Sequence, residues 1–360
     1  MSEASRQDQF SGVKPVSEGH RFDEARLEAY LAAHIPGFRG PLTVEQFKGG
    51  QSNPTYRLRS PSGAWVLRRK PPGKLLPSAH AVDREYRIIK ALGEAGFPVP
   101  EAVVLCEDES IVGTMFYVMG YVPGRIVWEA SMPESTPAER AAIYDAVNAT
   151  LARLHTLDYA AIGLADYGKP GNYFVRQIGR WSRQYEASET ESIPEMNRLI
   201  AWLPDNIPDD EATSIVHGDY RLDNLILHPE RPEVLAVLDW ELSTLGHPLG
   251  DFTYHLMQWR LPNIEGFGIS TLAGADLAAL GIPSEDDYVA RYCERTGRDG
   301  IENRDFYFAY NFFRLAAILQ GIAGRVRDGT ATSAHAKVMA AQVRPLAEMA
   351  WRFAQDAGAV

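Results

Sequence analysis

The hydrophobic positions along this chain change period more than once. Residues 1–22 carry few apolar side chains and read as a mobile leader. Helical spacing begins behind Asp23 as an N-cap and runs to Ala33, with Leu27, Tyr30 and Leu31 on one face and Pro36-Gly37 as the stop. From Leu42 to Lys70 the period shortens to two. Leu42, Val44 and Phe47, then Tyr56 and Leu58, then Trp65, Val66 and Leu67 predict three strands, parted by the turn-forming stretches Gly49–Pro54 and Ser60–Gly63. Tyr86, Ile89 and Leu92 return to helix spacing within Val82–Ala95, and Val103–Cys106 and Thr114–Met119 predict two more strands. The expected N-terminal lobe, residues 23–120, is therefore a five-stranded antiparallel sheet with one helix set within it.

After Pro123-Gly124 the pattern is mainly helical, and residues 121–360 form the expected second lobe. Helices are predicted at Ala138–Leu157, Trp181–Tyr185, Pro194–Leu203, Asp286–Arg295, Arg304–Ala323 and Ala334–Ala354. The exceptions are the short apolar runs Ile215-Val216, Leu225–Leu227 and Leu235–Leu238, each touching polar residues. The fold class is α+β, with a small antiparallel-sheet lobe before a larger helical one. Ligand clefts often form between two such lobes.

Charge narrows the partners. Thirty-six Lys and Arg stand against 47 Asp and Glu, a net charge of −11, with no basic stripe. That argues against nucleic acid and against an anionic membrane surface. No apolar run reaches the ~20 residues of a membrane span, and the first 20 residues lack the apolar stretch of a signal peptide. The two cysteines, Cys106 and Cys293, form no CxxC pair, which suits a reducing compartment; the expected location is cytoplasmic.

The informative chemistry lies in Val216-His217-Gly218-Asp219-Tyr220-Arg221-Leu222-Asp223-Asn224-Leu225 and, fifteen residues after Asn224, in Val237-Leu238-Asp239-Trp240-Glu241. Phosphoryl transfer from MgATP needs a carboxylate to orient the attacking hydroxyl, together with an oxygen ligand and a second carboxylate to hold Mg²⁺ against the phosphates. Asp219, Asn224 and Asp239 have the chemistry and separation for those three roles. A hairpin of the two flanking strands would bring Asn224 and Asp239 to one end. Upstream, Gly49 and Gly50 would let backbone approach phosphates, and Ser52 and Asn53 could donate to them; taken alone, the segment reads better as an ordinary hairpin turn. On the next strand Val66, Arg68 and Lys70 share one face and Trp65, Leu67 and Arg69 the other.

His217-Gly218-Asp219-x-x-x-x-Asn224 resembles the catalytic loop of the aminoglycoside phosphotransferase-like kinases, and Asp239-Trp240-Glu241 resembles their metal-binding turn. Gly246-His247-Pro248-Leu249-Gly250-Asp251 follows the same pattern. Gly50-Gln51-Ser52-Asn53-Pro54-Thr55-Tyr56, Val66-Leu67-Arg68-Arg69-Lys70-Pro71 and Phe313-Arg314-Leu315 are similar to the phosphotransferase branch found fused to acyl-CoA dehydrogenases in some animals. The resemblance implies a two-lobed protein-kinase-like fold, with ATP and Mg²⁺ as cofactors. Asp219 would be the catalytic carboxylate and Asn224 and Asp239 the metal ligands. Val66 would line the adenine pocket, and Arg68 would stand where kinases place a phosphate-gripping Lys, with Lys70 in reserve. Glu85 would pair with Arg68; by itself it reads as one acid on a solvated helix face. Met119 and Tyr121 would lie in the hinge that bonds adenine, Asp251 would support the catalytic loop, and His155 and His217 read as structural.

The function expected is an O-phosphotransferase acting on a hydroxyl of a small molecule. The alternatives are a non-catalytic nucleotide-binding pseudokinase module and a true aminoglycoside 3′-type enzyme. Acidic and basic residues nearly balance from Phe252 onward, which favours a neutral or anionic hydroxylated acceptor over a polycationic antibiotic. The branch resemblance suggests a hydroxyacyl compound. Oligomeric state is not legible.

Overall fold

The computed structural model describes residues 12–48, 53–71, 80–263, 270–329 and 334–360. Gly49, Gly50 and Ser52 lie outside the described residues. The chain divides into two compact units. One comprises residues 1–129, 159–165 and 221–243; the other comprises 130–158, 166–220 and 244–360. The loop from Arg221 to Ser243, which the sequence pattern assigns to the second lobe, thus packs as part of the first unit.

The first unit is built on one antiparallel sheet of six strands: β1 (Val13–Lys14), β2 (Thr43–Phe47), β3 (Thr55–Ser60), β4 (Gly63–Arg69), β5 (Ala102–Cys106) and β6 (Phe116–Gly120), in the order β1-β2-β3-β4-β6-β5. Five strands were expected. The sixth, β1, comes from the stretch read as a mobile leader, and it pairs with β2 through Val13 and Phe47. Two residues carry no period, and polar contacts anchor this stretch: the Tyr56 hydroxyl and Arg69 Nη2 both donate to the His20 carbonyl, at 3.0 and 2.9 Å.

Helix α1 (Glu24–His34) starts on Asp23, whose carboxylate accepts from the Arg26 N–H at 3.0 Å. Its buried Leu27 and Leu31 meet Tyr56, Leu58, Leu67, Phe116 and Val118 on one face of the sheet. Burial of that size stabilises by roughly 1.5–3 kcal/mol per large side chain. Helix α2 (Val82–Glu94) contacts β5 and β6. The alternation along β4 sends Leu67 into the α1 core and Arg68 to Glu85 of α2. The same unit holds a small hairpin of the strands Leu225–Leu227 and Val234–Val237, and Leu227 also bridges to Arg125. Gly124 lies against this hairpin so closely that a Cβ would fall 2.4 Å from Ile226 and 2.5 Å from the Leu227 carbonyl. Only glycine fits there.

The second unit is helical. Helix α3 (Pro137–Thr156) opens with a capping box of Thr136 and Glu139. It is followed by α4 (Tyr173–Ser188), α5 (Pro194–Asp205), α6 (Pro248–Arg260), α7 (Leu277–Leu280), α8 (Glu285–Thr296), α9 (Arg304–Arg327), α10 (Ala334–Ala341) and α11 (Val343–Asp356). The predicted helix 334–354 is in fact two, interrupted at Gln342. Helix α6 was not predicted. Ten of its residues, including the polar Asp251, Thr253 and His255, are buried, so it shows no apolar stripe to read. Strands Ser214–Val216 and Thr244–Gly246 pair antiparallel in front of it.

Two histidines tie stability of this unit to pH. Burial pushes His247 and His255 down to about 4. Below pH 6.5 the unfolded chain protonates both while the native state does not, so their contribution is present above pH 6.5 and is lost as pH falls toward 4. We expect urea midpoints to fall between pH 7 and 5, by a stability change on the order of 1–3 kcal/mol per histidine. His255→Gln, which leaves only His247 of the pair to titrate, should flatten that slope; an unchanged slope would contradict the assignment.

Candidate active site

The metal-type residues come together through the hairpin. Leu225 pairs with Val237, and one step beyond it the Leu238 N–H donates to the Asn224 carbonyl at 2.8 Å. Asn224 and Asp239 therefore leave the same end of the hairpin, as the sequence pattern predicted. Asp239 has φ 64 and ψ 61, a left-handed conformation that a non-glycine residue adopts at a cost of about 1–3 kcal/mol. That turn ends the strand abruptly and precedes the buried Trp240, whose indole donates to the Val237 carbonyl at 2.9 Å.

Arg68 organises the acids around it. Its Nη2 lies 2.6 Å from Asp239 Oδ1 and 3.3 Å from Glu241 Oε2, and its Nε lies 2.8 Å from Glu85 Oε2 without hydrogen-bond alignment. Glu85 is 1% exposed, so it is no solvated surface acid. Burial, with Asp239 and Glu241 adding to it and Arg68 opposing it, pushes Glu85 up to about 7. Tyr117 donates to the same carboxyl at 3.1 Å. Burial alone would lower Arg68, but Glu85 and Asp239 reverse that and hold its guanidinium firmly charged. One cation faces three carboxylates here, an acidic balance that a divalent ion would relieve.

Asn53 has a different task from the phosphate donation expected of it. Fully buried, it donates through Nδ2 to Glu85 at 3.0 Å and to Glu241 at 3.3 Å, while its Oδ1 meets His80 Nδ1 at 2.8 Å. Its amide is committed to the acids around Arg68. Val66 pairs with Met119 across β4 and β6, so the two expected adenine-pocket residues are neighbours. Beyond β6 the Tyr121 N–H donates to the Ala64 carbonyl at 3.3 Å, and Tyr121 is exposed. Lys70 follows the end of β4 and is half-buried.

Asp219 belongs to the second unit, in the loop after Ser214–Val216. The carboxylate of Asp251, on the first turn of α6, accepts from the N–H groups of His217 at 2.6 Å and Gly218 at 2.8 Å. Burial raises Asp251, but hydrogen bonding and charge from His155, with His217, prevail and hold it below the usual carboxylate range. Gly218 takes φ 84, a turn that suits glycine. The Asp219 N–H donates to His217 Nδ1 at 3.1 Å. His155 bridges Asp251 and the Tyr292 hydroxyl. These contacts match the supporting roles expected of Asp251, His155 and His217.

Two neighbours of Asp219 went unassigned in the sequence. The Tyr254 hydroxyl donates to Asp219 Oδ1 at 2.6 Å, and Arg314 Nη2 donates to the Gly218 carbonyl at 2.7 Å. Tyr254 sits three residues after Asp251, on the helix the pattern did not reveal. Glu241 was also missed as a partner of Arg68; its position two residues after Asp239 was the available signal.

Asn224 and Asp239 offer hard oxygen donors, and Asp239 keeps a third of its side chain exposed. Among the described residues no cluster of three or more His, Cys, Asp or Glu could hold a metal. Two protein oxygens fit Mg²⁺, which commonly completes its shell with phosphates and water.

The first unit thus carries a left-handed acidic turn closing a short hairpin and an Arg–Glu pair joining strand to helix, and the second carries a glycine-aspartate loop braced by a buried carboxylate. The family model for the phosphotransferase enzyme family matches residues 43–288, and the chain belongs to that family. It is 48% identical over 351 residues to acyl-CoA dehydrogenase family member 10 of Mus musculus, covering 96% of this chain and 32% of that protein. It is 46% identical over 347 residues to acyl-CoA dehydrogenase family member 11 of Gallus gallus, covering 94% of this chain and 44% of that protein. The chain thus spans less than half the length of these curated relatives. A crystal structure from Ralstonia eutropha JMP134, provisionally described as an aminoglycoside phosphotransferase, superposes with a TM-score of 0.85 at 55% identity over 93% of this chain and 99% of that one. A thermostable mutant of aminoglycoside phosphotransferase APH(4)-Ia in ternary complex with ADP and hygromycin B shares the fold, with a TM-score of 0.59 at 14% identity over 92% of this chain and 98% of that one. No helix among the described residues is long and apolar enough to cross a membrane.

Proposed function

We propose that this chain is an ATP-dependent O-phosphotransferase acting on a hydroxyl group of a small molecule in the cytoplasm. The observation that carries the reading is Arg68: a buried guanidinium on β4, set between Glu85 of α2 and the strained metal-type Asp239. A purely structural ion pair would not need a carboxylate in left-handed backbone beside it. In this reading Val66 and Met119 line the adenine site, with Tyr121 at the hinge. Arg68 turns donors toward the nucleotide phosphates, and Asn224 and Asp239 hold Mg²⁺. Mg²⁺, when bound, draws charge from the phosphates. Asp219 orients the acceptor hydroxyl and takes its proton as the new O–P bond forms and the bond to the ADP oxygen breaks.

The acceptor we propose is a hydroxyacyl compound. Support comes from the near balance of charge in the C-terminal region and from relatives whose names attach them to acyl-CoA chemistry. A screen of hydroxylated metabolites for ATP-dependent phosphorylation tests it; phosphorylation of aminoglycosides in preference to hydroxyacyl compounds would overturn this acceptor class.

The metal assignment has its own test. Calorimetry should show MgATP binding more tightly than ATP with EDTA, and Asp239→Ala should abolish that difference. Equal affinity with and without Mg²⁺ in the wild-type protein would remove Asn224 and Asp239 from a metal role.

A further inference from the structure

We infer that Tyr254 is a positioning residue that presents the Asp219 carboxylate to the acceptor, and that Arg314 braces the tyrosine and the loop together. The inference rests on Asp219 being the reactive carboxylate. The Tyr254 hydroxyl donates to Asp219 Oδ1 at 2.6 Å, the short distance of a hydrogen bond to an ionised acceptor. A carboxylate pinned through one oxygen loses its rotation about χ2, so its other oxygen points in a set direction. Tyr254 does not act from a loop. It stands one turn after Asp251 on α6, and Asp251 holds the His217 and Gly218 N–H groups. One helix face thereby fixes the backbone of the loop and the side chain it carries.

Arg314 closes this arrangement from α9. Its Nη2 donates to the Gly218 carbonyl at 2.7 Å, and its guanidinium lies 5.0 Å from the Tyr254 ring centroid and 5.9 Å from that of Trp181. Arg314 is buried; its Nη2 serves a loop carbonyl, its face lies against two aromatic rings, and Asp219 is among the neighbours whose charge favours its cation. A buried cation is costly to keep in such a place unless its charge and fork are used. Here the fork fixes the residue before Asp219, and the planar face holds the ring whose hydroxyl orients Asp219.

The test uses the full chain with MgATP and water as the acceptor, read as ADP release. Tyr254→Phe keeps the ring against Arg314 and removes only the hydroxyl. Turnover should fall about 10- to 100-fold, the scale of a misplaced catalytic group, with ATP affinity and melting temperature unchanged. In an Asp219→Asn background the same change should lower turnover no further, because it acts through Asp219. Arg314→Lys, which keeps the charge but loses the fork, should fall between wild type and Tyr254→Phe. Wild-type turnover in Tyr254→Phe, or an equal fall in both backgrounds, would overturn the inference. Full activity of Asp219→Asn would instead overturn the reading beneath it. Where hydrolysis falls below detection, the readout is the ¹³C carboxyl resonance that Asp219→Asn removes: Tyr254→Phe should shift it, and an unmoved resonance would overturn the inference.

Discussion

Asp219→Asn is expected to leave ATP affinity intact and to lower turnover by a factor on the order of 10²–10⁴, the range for loss of a general base. Asparagine keeps the size of the side chain and can still accept from Tyr254 through its amide oxygen, but it cannot take the acceptor proton. The loop should survive the change, since Asp251 holds it through the backbone of His217 and Gly218 rather than through the Asp219 side chain. Asp223 is the control. It lies in the same sequence motif, yet its carboxylate is occupied by Arg221 at 2.9 Å, so Asp223→Asn should be much milder. Single-turnover rates with an identified acceptor decide between them. A fully active Asp219→Asn enzyme would make the mechanism proposed here wrong.

Arg68→Ala should have two separable effects. Loss of a charged hydrogen-bond partner should weaken ATP binding by roughly 1.5–3 kcal/mol. It should also destabilise the first unit, because Glu85, Asp239 and Glu241 lose their shared cation. Breaking a buried ion pair from one side costs about 3–5 kcal/mol; the lower end is expected, since Glu85 already titrates at about 7 and takes up a proton when Arg68 is gone. Arg69→Ala makes the contrast. Arg69 is buried on the opposite face, donating to the Tyr56 hydroxyl, the Val112 carbonyl and the His20 carbonyl. Its loss should lower the melting temperature while ATP affinity, measured below the transition, stays within about twofold of wild type. The reverse outcome, Arg68→Ala silent and Lys70→Ala damaging, would mean that Lys70 grips the phosphates.

The sequence by itself determined which residues are candidates for the chemistry and most of the scaffold that holds them. Alternation along β4 separates Arg68 from Arg69 because strand geometry has a period of two, and neighbours in the chain cannot share a face. The pairing of Asn224 with the end of the Asp239 strand was legible for a similar local reason: two short apolar runs with a turn between them make a hairpin. The amphipathic helices could be read wherever one stripe is buried and the other is wet.

Tertiary structure alone decided the rest. Helix α6 is buried nearly all round, so its pattern has no stripe, and Tyr254 could not be placed beside Asp219 until the helix was known. β1 is too short for any period, and its anchor is a carbonyl at His20 that accepts from residues 36 and 49 positions away. Asn53 looked like a phosphate donor because a loop amide beside glycines is suited to one; burial against Glu85 and Glu241 gives it another partner. Glu85 shows the limit most plainly. On a helix flanked by Arg84 and Arg87 it reads as a surface acid, and only the fold brings Arg68, Asp239 and Glu241 around it. Burial and charge at that point depend on residues up to 173 positions apart in the chain, and no local pattern encodes them.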